Sequence, residues 1–198
     1  MAKKVSILVG SLRKGSFARK VAQNVIPMFP EGYEAQIVEI GGLPLYNFDY
    51  DDPAETDFPT PESYTAFRET IKASDGVLFV TPENNRTVPA CLKNAVDIGS
   101  KPNADVAWKN TPAGIISHSV GKMGGYSSQK NLRLALSYFN MPLTGQPEVF
   151  LGNSPTKLLR QPDESAPAEK RTMENVLKSS AGQISAAARS SVREEWPR

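Results

Sequence analysis

Five short segments with strand character constrain the possible folds of this chain more than any other feature of the sequence. They occupy residues 3–9, 34–40, 76–80, 112–118 and 147–151. Longer stretches follow them in which apolar residues recur three and four positions apart, the spacing of one helical face. Strand therefore alternates with helix along the chain. This alternation predicts an α/β fold, a doubly wound five-stranded parallel sheet with helices on both faces.

The helical patterns give the outline of one domain. They cover residues 16–28, 61–73, 89–99, 126–139 and 168–189. Pro89 is placed in the first helical turn, where its missing N–H costs little. Residues 49–61 are rich in Asp and Pro and are expected to form a surface loop. A length of 198 residues suits a single well-buried domain, which we place at residues 1–189, followed by a tail at 190–198.

Composition narrows the classes of partner. A net charge of +2 is too small for a chain that binds nucleic acid as a whole. Cys91 is the only cysteine, so no intrachain disulfide can form, as is usual in a reducing compartment. No apolar run reaches the length needed to span a membrane. We therefore expect a cytoplasmic, soluble protein that binds neither nucleic acid nor membranes.

Side chains that could perform chemistry are scarce. With His118 as the only histidine and Cys91 as the only cysteine, a zinc site with several imidazole and thiolate ligands is excluded. A nucleophilic pair of Cys91 and His118 stays formally open, although a packed thiol is the commoner meaning of a cysteine in a helical pattern. No serine elbow motif occurs. An enzyme with this sequence would take its reactive group from a cofactor, and we assign no catalytic side chain.

Three polar loops follow the three most apolar strands. They read GSLRKGS at residues 10–16, TPENNRTV at 81–88 and SHSVGKMGG at 117–125. In an open parallel sheet, ligands bind beyond the carboxyl ends of the strands, where the strand order reverses. The joint enrichment of these loops in Gly, Ser, Asn and basic residues predicts a ligand site at that edge.

The first loop has the character of an anion site. It joins a strand to a helix, so its backbone N–H groups and the helix N-terminus can face an anion. Ser11 and Ser16 add hydroxyl groups and Arg13 adds a charged fork. The loop lacks both the Walker lysine and the glycine spacing of dinucleotide sites, so a monophosphate fits better than ATP or NAD. The alternative is a tight turn with solvated basic side chains.

The second loop is bracketed by Pro82 and Pro89, which limit its backbone freedom. Between them stand polar groups from Glu83, Asn84 and Asn85. A flat heteroaromatic ring with donors and acceptors along its edges would need such a rigid frame. The alternative is an ordinary turn before a helix that is capped near Arg86 or Thr87.

The third loop contains glycines that would allow a ligand to approach the backbone closely. Ser117 and Ser119 offer hydrogen-bonding hydroxyl groups beside them. A plain glycine-rich connection fits this loop equally well. His118 is expected to be structural.

Together, the motifs GSLRKGS, TPENNRTVPACLKNAVD and SVGKMGG resemble those of the NADPH-dependent FMN reductase family, over residues 3–147. That family has a flavodoxin-like fold and includes quinone, azo-dye and chromate reductases. The resemblance implies FMN bound without a covalent bond, its phosphate on the first loop and its isoalloxazine against residues 82–85 near the third loop. The contact residues implied are Ser11, Arg13, Ser16, Phe17, Pro82, Glu83, Asn84, Asn85, Ser117, Ser119 and Gly121.

The resemblance also implies a reaction. NADPH or NADH would reduce the flavin, which would then reduce small-molecule acceptors such as FMN, quinones or azo compounds by a ping-pong mechanism. Homodimers or homotetramers are usual in the family, with the helix at residues 89–99 as a candidate contact. Asn84 stands where the family usually has Tyr. We therefore expect flavin binding to rest more on main-chain groups of residues 83–85 than on the Asn84 side chain.

Two other classes of protein remain open. One is a flavodoxin-type electron carrier or FMN-binding regulator without turnover, and the other is an α/β scaffold that binds no flavin. Carriers often have a strongly acidic face, whereas the acidic residues of this chain cluster only around residues 49–57. The near-neutral charge therefore favours the enzyme modestly.

Overall fold

The structure, a computed structural model, describes residues 2–154. Five strands form one parallel sheet in the order β2-β1-β3-β4-β5, which is the flavodoxin-like order. They are β1 Lys3–Val9, β2 Tyr33–Val38, β3 Gly76–Pro82, β4 Ala113–His118 and β5 Val149–Leu151. The predicted five-stranded, doubly wound sheet is confirmed. The expected helix at 168–189, the domain end at 189 and the tail at 190–198 lie outside the described residues.

Four α-helices connect the strands within the described residues. They are α1 Phe17–Val25, α2 Glu62–Lys72, α3 Ala90–Gly99 and α4 Tyr126–Ser137. The helix predicted at residues 16–28 ends earlier in the structure, because Pro27 enters a 3-10 turn at Ile26–Met28. Pro89 is the N-cap of α3 and not a residue of its first turn. No helix in the described part has the length and apolar character needed to cross a membrane.

β3 is two residues longer than the sequence predicts. Thr81 and Pro82 continue the strand because they pair with Ser117 and His118 of β4. A prolyl residue can end a strand at the position where its missing N–H is not needed for the ladder. The second loop therefore starts at Glu83, whereas the sequence placed its start at Thr81.

Each face of the sheet carries its own apolar core. On one face, α1 packs Val21 against Ile7, Val80 and Ile116, all without measurable exposure. On the other face, α2, α3 and α4 cover a cluster that is centred on Trp108. The indole N–H of Trp108 donates to Val96 O at 2.8 Å, so its one polar group is satisfied inside the core. The predicted placement of helices on both faces is confirmed.

The segment between β2 and α2 is anchored more firmly than a surface loop. Residues 48–51 form a 3-10 helix, and the carboxylate of Asp51 is buried in an ion pair with Arg68 of α2. Asn94 of α3 binds the same segment, accepting from Tyr46 N at 2.7 Å and donating to Pro44 O at 2.9 Å. The expectation of a surface loop at residues 49–61 is therefore wrong for Asp51, whose charge needs a buried partner.

Candidate functional site

The three polar loops leave the sheet side by side. β3 lies between β1 and β4, so the loops after these strands emerge from neighbouring positions at one edge. Gly10 N donates to Val80 O at 2.9 Å, and Glu83 N donates to His118 O at 3.2 Å. These two bonds continue the ladder beyond the strands and join the start of each loop to its neighbour.

The first loop presents free donors at the N-terminus of α1. Ser16 is the N-cap of this helix, and its Oγ accepts from Arg19 N at 3.1 Å. The backbone N–H groups of residues 12–15 have no acceptor among residues 2–154. Arg13 is exposed, and in the same range its guanidinium makes no hydrogen bond or ion pair. Ser11 and Phe17 are half-buried beside it. An anion would satisfy these donors.

The second loop is a tight turn. Asn84 N donates to Thr87 O at 3.1 Å, and Thr87 N donates to Asn84 O at 2.9 Å. The two residues between them, Asn85 and Arg86, have φ values of 48° and 66°. Positive φ at both central positions is the mark of a type I′ turn. The backbone is thus braced as expected, although paired hydrogen bonds hold it as well as the two prolines.

Two of the three main-chain N–H groups of residues 83–85 already have acceptors, and one main-chain carbonyl beside them is also engaged. Glu83 N binds His118 O, Asn84 N binds Thr87 O, and Pro82 O accepts from Ser128 Oγ at 3.0 Å. Asn85 N is the remaining main-chain donor of residues 83–85 without an acceptor in the described chain. Among the main-chain donors of residues 83–85, Asn85 N–H is thus the one left for a ring, and binding mainly through this backbone remains a prediction. By contrast, the exposed side-chain amides of Asn84 and Asn85 make no hydrogen bond among residues 2–154.

The carboxylate of Glu83 is bound to α4. Its Oε2 accepts from Ser127 N at 2.9 Å and from Ser128 N at 3.3 Å. The sequence suggested that this carboxylate would face a ligand, but the structure uses it to cap a helix. The N-cap of α3 is Pro89, two residues after Thr87, and no side chain caps that helix, so neither Arg86 nor Thr87 serves as its cap residue.

The three predicted residues of the third loop differ in accessibility. Ser117 has no exposed surface, and its hydroxyl donates to Gly124 O at 2.8 Å beneath the loop. Ser119 is half-buried and donates to Gly121 O at 3.0 Å, while Gly121 is exposed. Only Ser119 and Gly121 therefore reach the edge where a ligand could lie.

The glycines that begin α4 serve packing within the protein. Gly124 and Gly125 have φ values of 62° and 81°, which side chains rarely adopt. A Cβ at Gly124 would lie 2.6 Å from the carbonyl carbon of Phe150, and one at Gly125 would lie 2.9 Å from His118 O. The close approach that these glycines permit is to the backbones of β5 and β4. These contacts explain the two glycines by packing within the protein, and the approach of a ligand to this loop stays a prediction.

His118 and Cys91 do not form a nucleophilic pair. His118 Nδ1 lies 3.2 Å from Ser154 Oγ, and burial lowers the pKa of His118 to about 4, so the ring is neutral near pH 7. Burial raises the pKa of the Cys91 thiol, which packs on the Trp108 face of the sheet. His118 follows Ile116 by two positions on β4, so it lies on the α1 face of the sheet, opposite the face that carries Trp108 and Cys91. The structural interpretation of His118 agrees with this environment.

A cavity of about 490 Å³ lies elsewhere, between residues 50–60 and α2. Its lining contains no residue of the loops after β1, β3 and β4. Its most buried charged groups, Asp51 and Arg68, already neutralise each other. The candidate cofactor site is the open edge of the sheet and not this cavity.

The sequence profile of the family described as NADPH-dependent FMN reductase matches residues 3–156, a range that includes all three loops. The chain belongs to this family. The resemblance recognised from the loop motifs is thereby confirmed, together with FMN as the cofactor and NAD(P)H as the reductant. The protein is an NAD(P)H-dependent oxidoreductase with a flavodoxin-like fold.

Individual relatives of this FMN reductase agree with that assignment. A quinone reductase from Pseudomonas putida is 46% identical over 150 residues, covering 76% of this chain and 78% of the relative. A 2-hydroxy-1,4-benzoquinone reductase from Burkholderia sp is 40% identical over 158 residues, covering 80% and 83%. The solved flavoenzyme NAD(P)H:(acceptor) oxidoreductase FerB from Paracoccus denitrificans is 27% identical, with a TM-score of 0.80 over 94% of this chain and 99% of that one.

Proposed function

We propose that this FMN reductase passes reducing equivalents from NADPH or NADH to quinones, azo compounds, FMN or similar small acceptors by a ping-pong mechanism. When bound, FMN supplies the ring that takes a hydride from the nicotinamide at N5 and gives it to the acceptor. The observation that carries the proposal is the set of donors at the N-terminus of α1 that have no acceptor among residues 2–154, beside the rigid turn after β3. Two relatives with at least 40% identity act on quinones by name.

The first loop would hold the phosphate. A dianion is favoured by the N-terminus of α1 together with the N–H groups of residues 12–15 and the Arg13 guanidinium, none of which has a partner in the described part of the chain. Ser11 and Phe17 border this group, and the hydroxyl proton of Ser16 stays available because its oxygen is the acceptor for the helix. The donor set fits FMN better than riboflavin, which has no phosphate.

The second and third loops would hold the isoalloxazine. Among the described residues, this edge offers a ring the exposed side chains of Asn84 and Asn85, the Asn85 N–H, Ser119 and Gly121. The remaining predicted residues support them: Pro82 ends β3, the Glu83 carboxylate binds α4, and Ser117 fastens the third loop from beneath.

The protein's part in the reaction is orientation. No side-chain acid or base is assigned, because His118 is buried and neutral and Glu83 is engaged on α4. The coenzyme and the acceptor would stack in turn on one exposed face of the ring, and each would leave before the other binds.

Steady-state kinetics tests the proposal. Initial rates of NADPH oxidation, measured at several fixed concentrations of a quinone, should give parallel double-reciprocal lines. Intersecting lines would indicate a ternary complex and contradict the shared face. Absence of turnover by a yellow, FMN-loaded protein would indicate an electron carrier or regulator. A colourless protein that binds no FMN would indicate the scaffold.

We also propose a cytoplasmic homodimer or homotetramer. The outward side of α4 supports a contact between copies, because Leu134 and Tyr138 are 74% and 87% exposed and lie about one turn apart. The family resemblance suggested α3 as the candidate contact. The outward side of α3 carries the exposed ion pair of Lys93 and Asp97 and is therefore more polar than that of α4. Light scattering of wild type and of Leu134→Lys measures the mass; an unchanged oligomer in the variant would exclude this face of α4.

A further inference from the structure

The loop after β3 is joined to α4 by a contact that no step of the proposed reaction uses. Glu83 Oε2 accepts from Ser127 N at 2.9 Å and from Ser128 N at 3.3 Å. These are the second and third residues of α4, and N–H groups at that position have no acceptor within the helix. Gly125, the N-cap residue, has no side chain to bind them. A carboxylate from a distant segment therefore caps this helix.

The contact holds Glu83 from two sides. Its carboxylate lies at the positive end of the α4 dipole, where a charge-assisted bond to backbone N–H is stronger than a neutral one. Its own N–H donates to His118 O at 3.2 Å. Glu83 thus links the second loop to the helix that follows the third loop and to the strand that precedes it.

Asn131 holds the other end of the turn. Its Nδ2 donates to Arg86 O at 3.1 Å and lies 3.3 Å from Thr87 Oγ1. Asn131 follows Ser127 by four positions, so both lie on the same side of α4. The turn between these attachments has two consecutive non-glycine residues with positive φ, Asn85 and Arg86. That conformation persists only where surrounding contacts determine it.

We propose that Glu83 is a positioning residue and not a ligand of the flavin. By capping α4, its carboxylate fixes the turn at residues 84–87, and with it the N–H and side chain of Asn85, relative to the third loop, where the ring would lie. This inference rests on the proposed function. It also accounts for the choice of phosphate site: α4 has its N-terminus filled by a carboxylate, whereas α1 has Ser16 at its cap and no acidic residue in its first turn.

Flavin titration of the refolded or flavin-stripped protein tests the role. Glu83→Ala should weaken FMN and riboflavin by the same factor, about tenfold or more, because the ring frame is affected and the phosphate loop is not. Glu83→Gln keeps an oxygen that can accept from N–H but loses the charge, so its affinity should lie between those of wild type and Glu83→Ala. Glu31→Ala removes an exposed carboxylate that lies just before β2, outside the three loops, and should change neither affinity.

Two further measurements separate positioning from general damage. Amide hydrogen exchange of Ser127 and Ser128 in the flavin-free protein should be fastest in Glu83→Ala and intermediate in Glu83→Gln. Asn131→Ala, at an exposed residue, releases the other end of the turn without changing any charge. It should also weaken both flavins equally, and it gives a test of the turn should Glu83→Ala fail to fold.

Several results would overturn the inference. Normal flavin affinity in Glu83→Ala would leave the proposed function standing and remove the positioning role. Loss of FMN binding with unchanged riboflavin binding would place the effect at the phosphate. Equal flavin loss in Glu83→Gln and Glu83→Ala, with amide exchange unchanged, would make Glu83 a direct ligand. If wild type bound no flavin, both the function and the positioning role would fail, although amide exchange would still report on the cap.

Discussion

Arg68 of α2 and Asp51 of the segment after β2 form a bidentate ion pair in the protein interior. The two N–O distances are 2.8 Å and 2.7 Å, and the side chains are 7% and 5% exposed. Arg68 Nε also donates to Ile98 O at 2.9 Å, which joins α3 to the same group. The pair therefore ties three segments together, and each charge depends on the other for compensation.

We expect Asp51→Ala to lower the free energy of unfolding by about 3–5 kcal/mol, because it leaves the Arg68 guanidinium buried without a counter-charge. Urea titration followed by circular dichroism measures the change. Lys93→Ala is the matched control, since it breaks the exposed pair with Asp97 and should cost about 0.5 kcal/mol or less. Similar losses in both variants would mean that burial does not govern the Arg68 pair.

Gly99→Ala should destabilise the protein although Ala is the better helix former. A Cβ at Gly99 would lie 2.5 Å from Cε2 and Nε1 of Trp108, whose indole is fixed by Val96 O. Overpacking of this kind costs about 1–3 kcal/mol, and thermal unfolding of the apo-protein measures it. Gly42→Ala, where no heavy atom lies within 4 Å, is the control. An unchanged melting temperature in Gly99→Ala would show that the Trp108 ring can move.

Arg13→Ala should weaken FMN by about 1.5–3 kcal/mol and leave riboflavin unchanged, because only FMN carries the phosphate that the guanidinium would bind. Isothermal titration of both flavins gives the two values. Lys109→Ala, which removes an exposed cation outside the three loops, should change neither. Equal losses of FMN and riboflavin in Arg13→Ala would mean that Arg13 does not bind the phosphate.

Asn84→Tyr should keep FMN bound, because Asn84 enters the turn through its own N–H and carbonyl, which any residue supplies. A Tyr ring that stacks on the flavin or the acceptor would add about 0.5–1.5 kcal/mol, so Michaelis constants of bulky aromatic acceptors should change more than that of NADPH. Fluorescence titration of FMN into Asn84→Tyr and Asn84→Ala checks the binding. A loss of about tenfold, 1.4 kcal/mol, in both variants would make the Asn84 amide indispensable.

Stability should fall between pH 6.5 and pH 4 because of His118. Burial lowers its pKa to about 4 in the folded protein, so the unfolded chain takes up a proton first as the pH falls. Above the pKa of His118 in the unfolded chain, the free energy of unfolding keeps its full value. About 2 kcal/mol of it is lost between pH 7 and pH 5. His118→Gln should lack this part of the pH dependence in urea titrations. Parallel curves for wild type and variant would contradict it.

The architecture was predictable because its signals are local. Apolar alternation and spacing identify strands and helices within a few residues, and their order implies a parallel sheet. The same order implies that the loops predicted at residues 10–16, 81–88 and 117–125 share one edge. Errors arose at the ends of elements, as where Thr81 and Pro82 extend β3, because a strand lasts as long as its neighbour offers a partner.

The position of the candidate site was predictable, but several roles within it were not. Glu83 was expected beside the ring, and the structure binds its carboxylate to Ser127, which is 44 positions away in the sequence. Gly124 and Gly125 were expected to admit a ligand, and they admit neighbouring strands. In the sequence, a polar side chain looks the same whether it binds a ligand or a distant backbone group. A glycine looks the same whether a ligand or a neighbouring strand approaches it.

The fold class, the family and the edge at which we propose that the cofactor binds can be read from short segments, because apolar periodicity and contiguous motifs are local properties. The packing of distant segments sets which polar groups at that edge are already bonded. Ser117 and Glu83 are engaged inside the protein, whereas Arg13, Asn84 and Asn85 make no side-chain hydrogen bond in the described residues. The difference arises because each buried hydrogen-bonding group must find a partner, and packing of segments remote in sequence sets that partner.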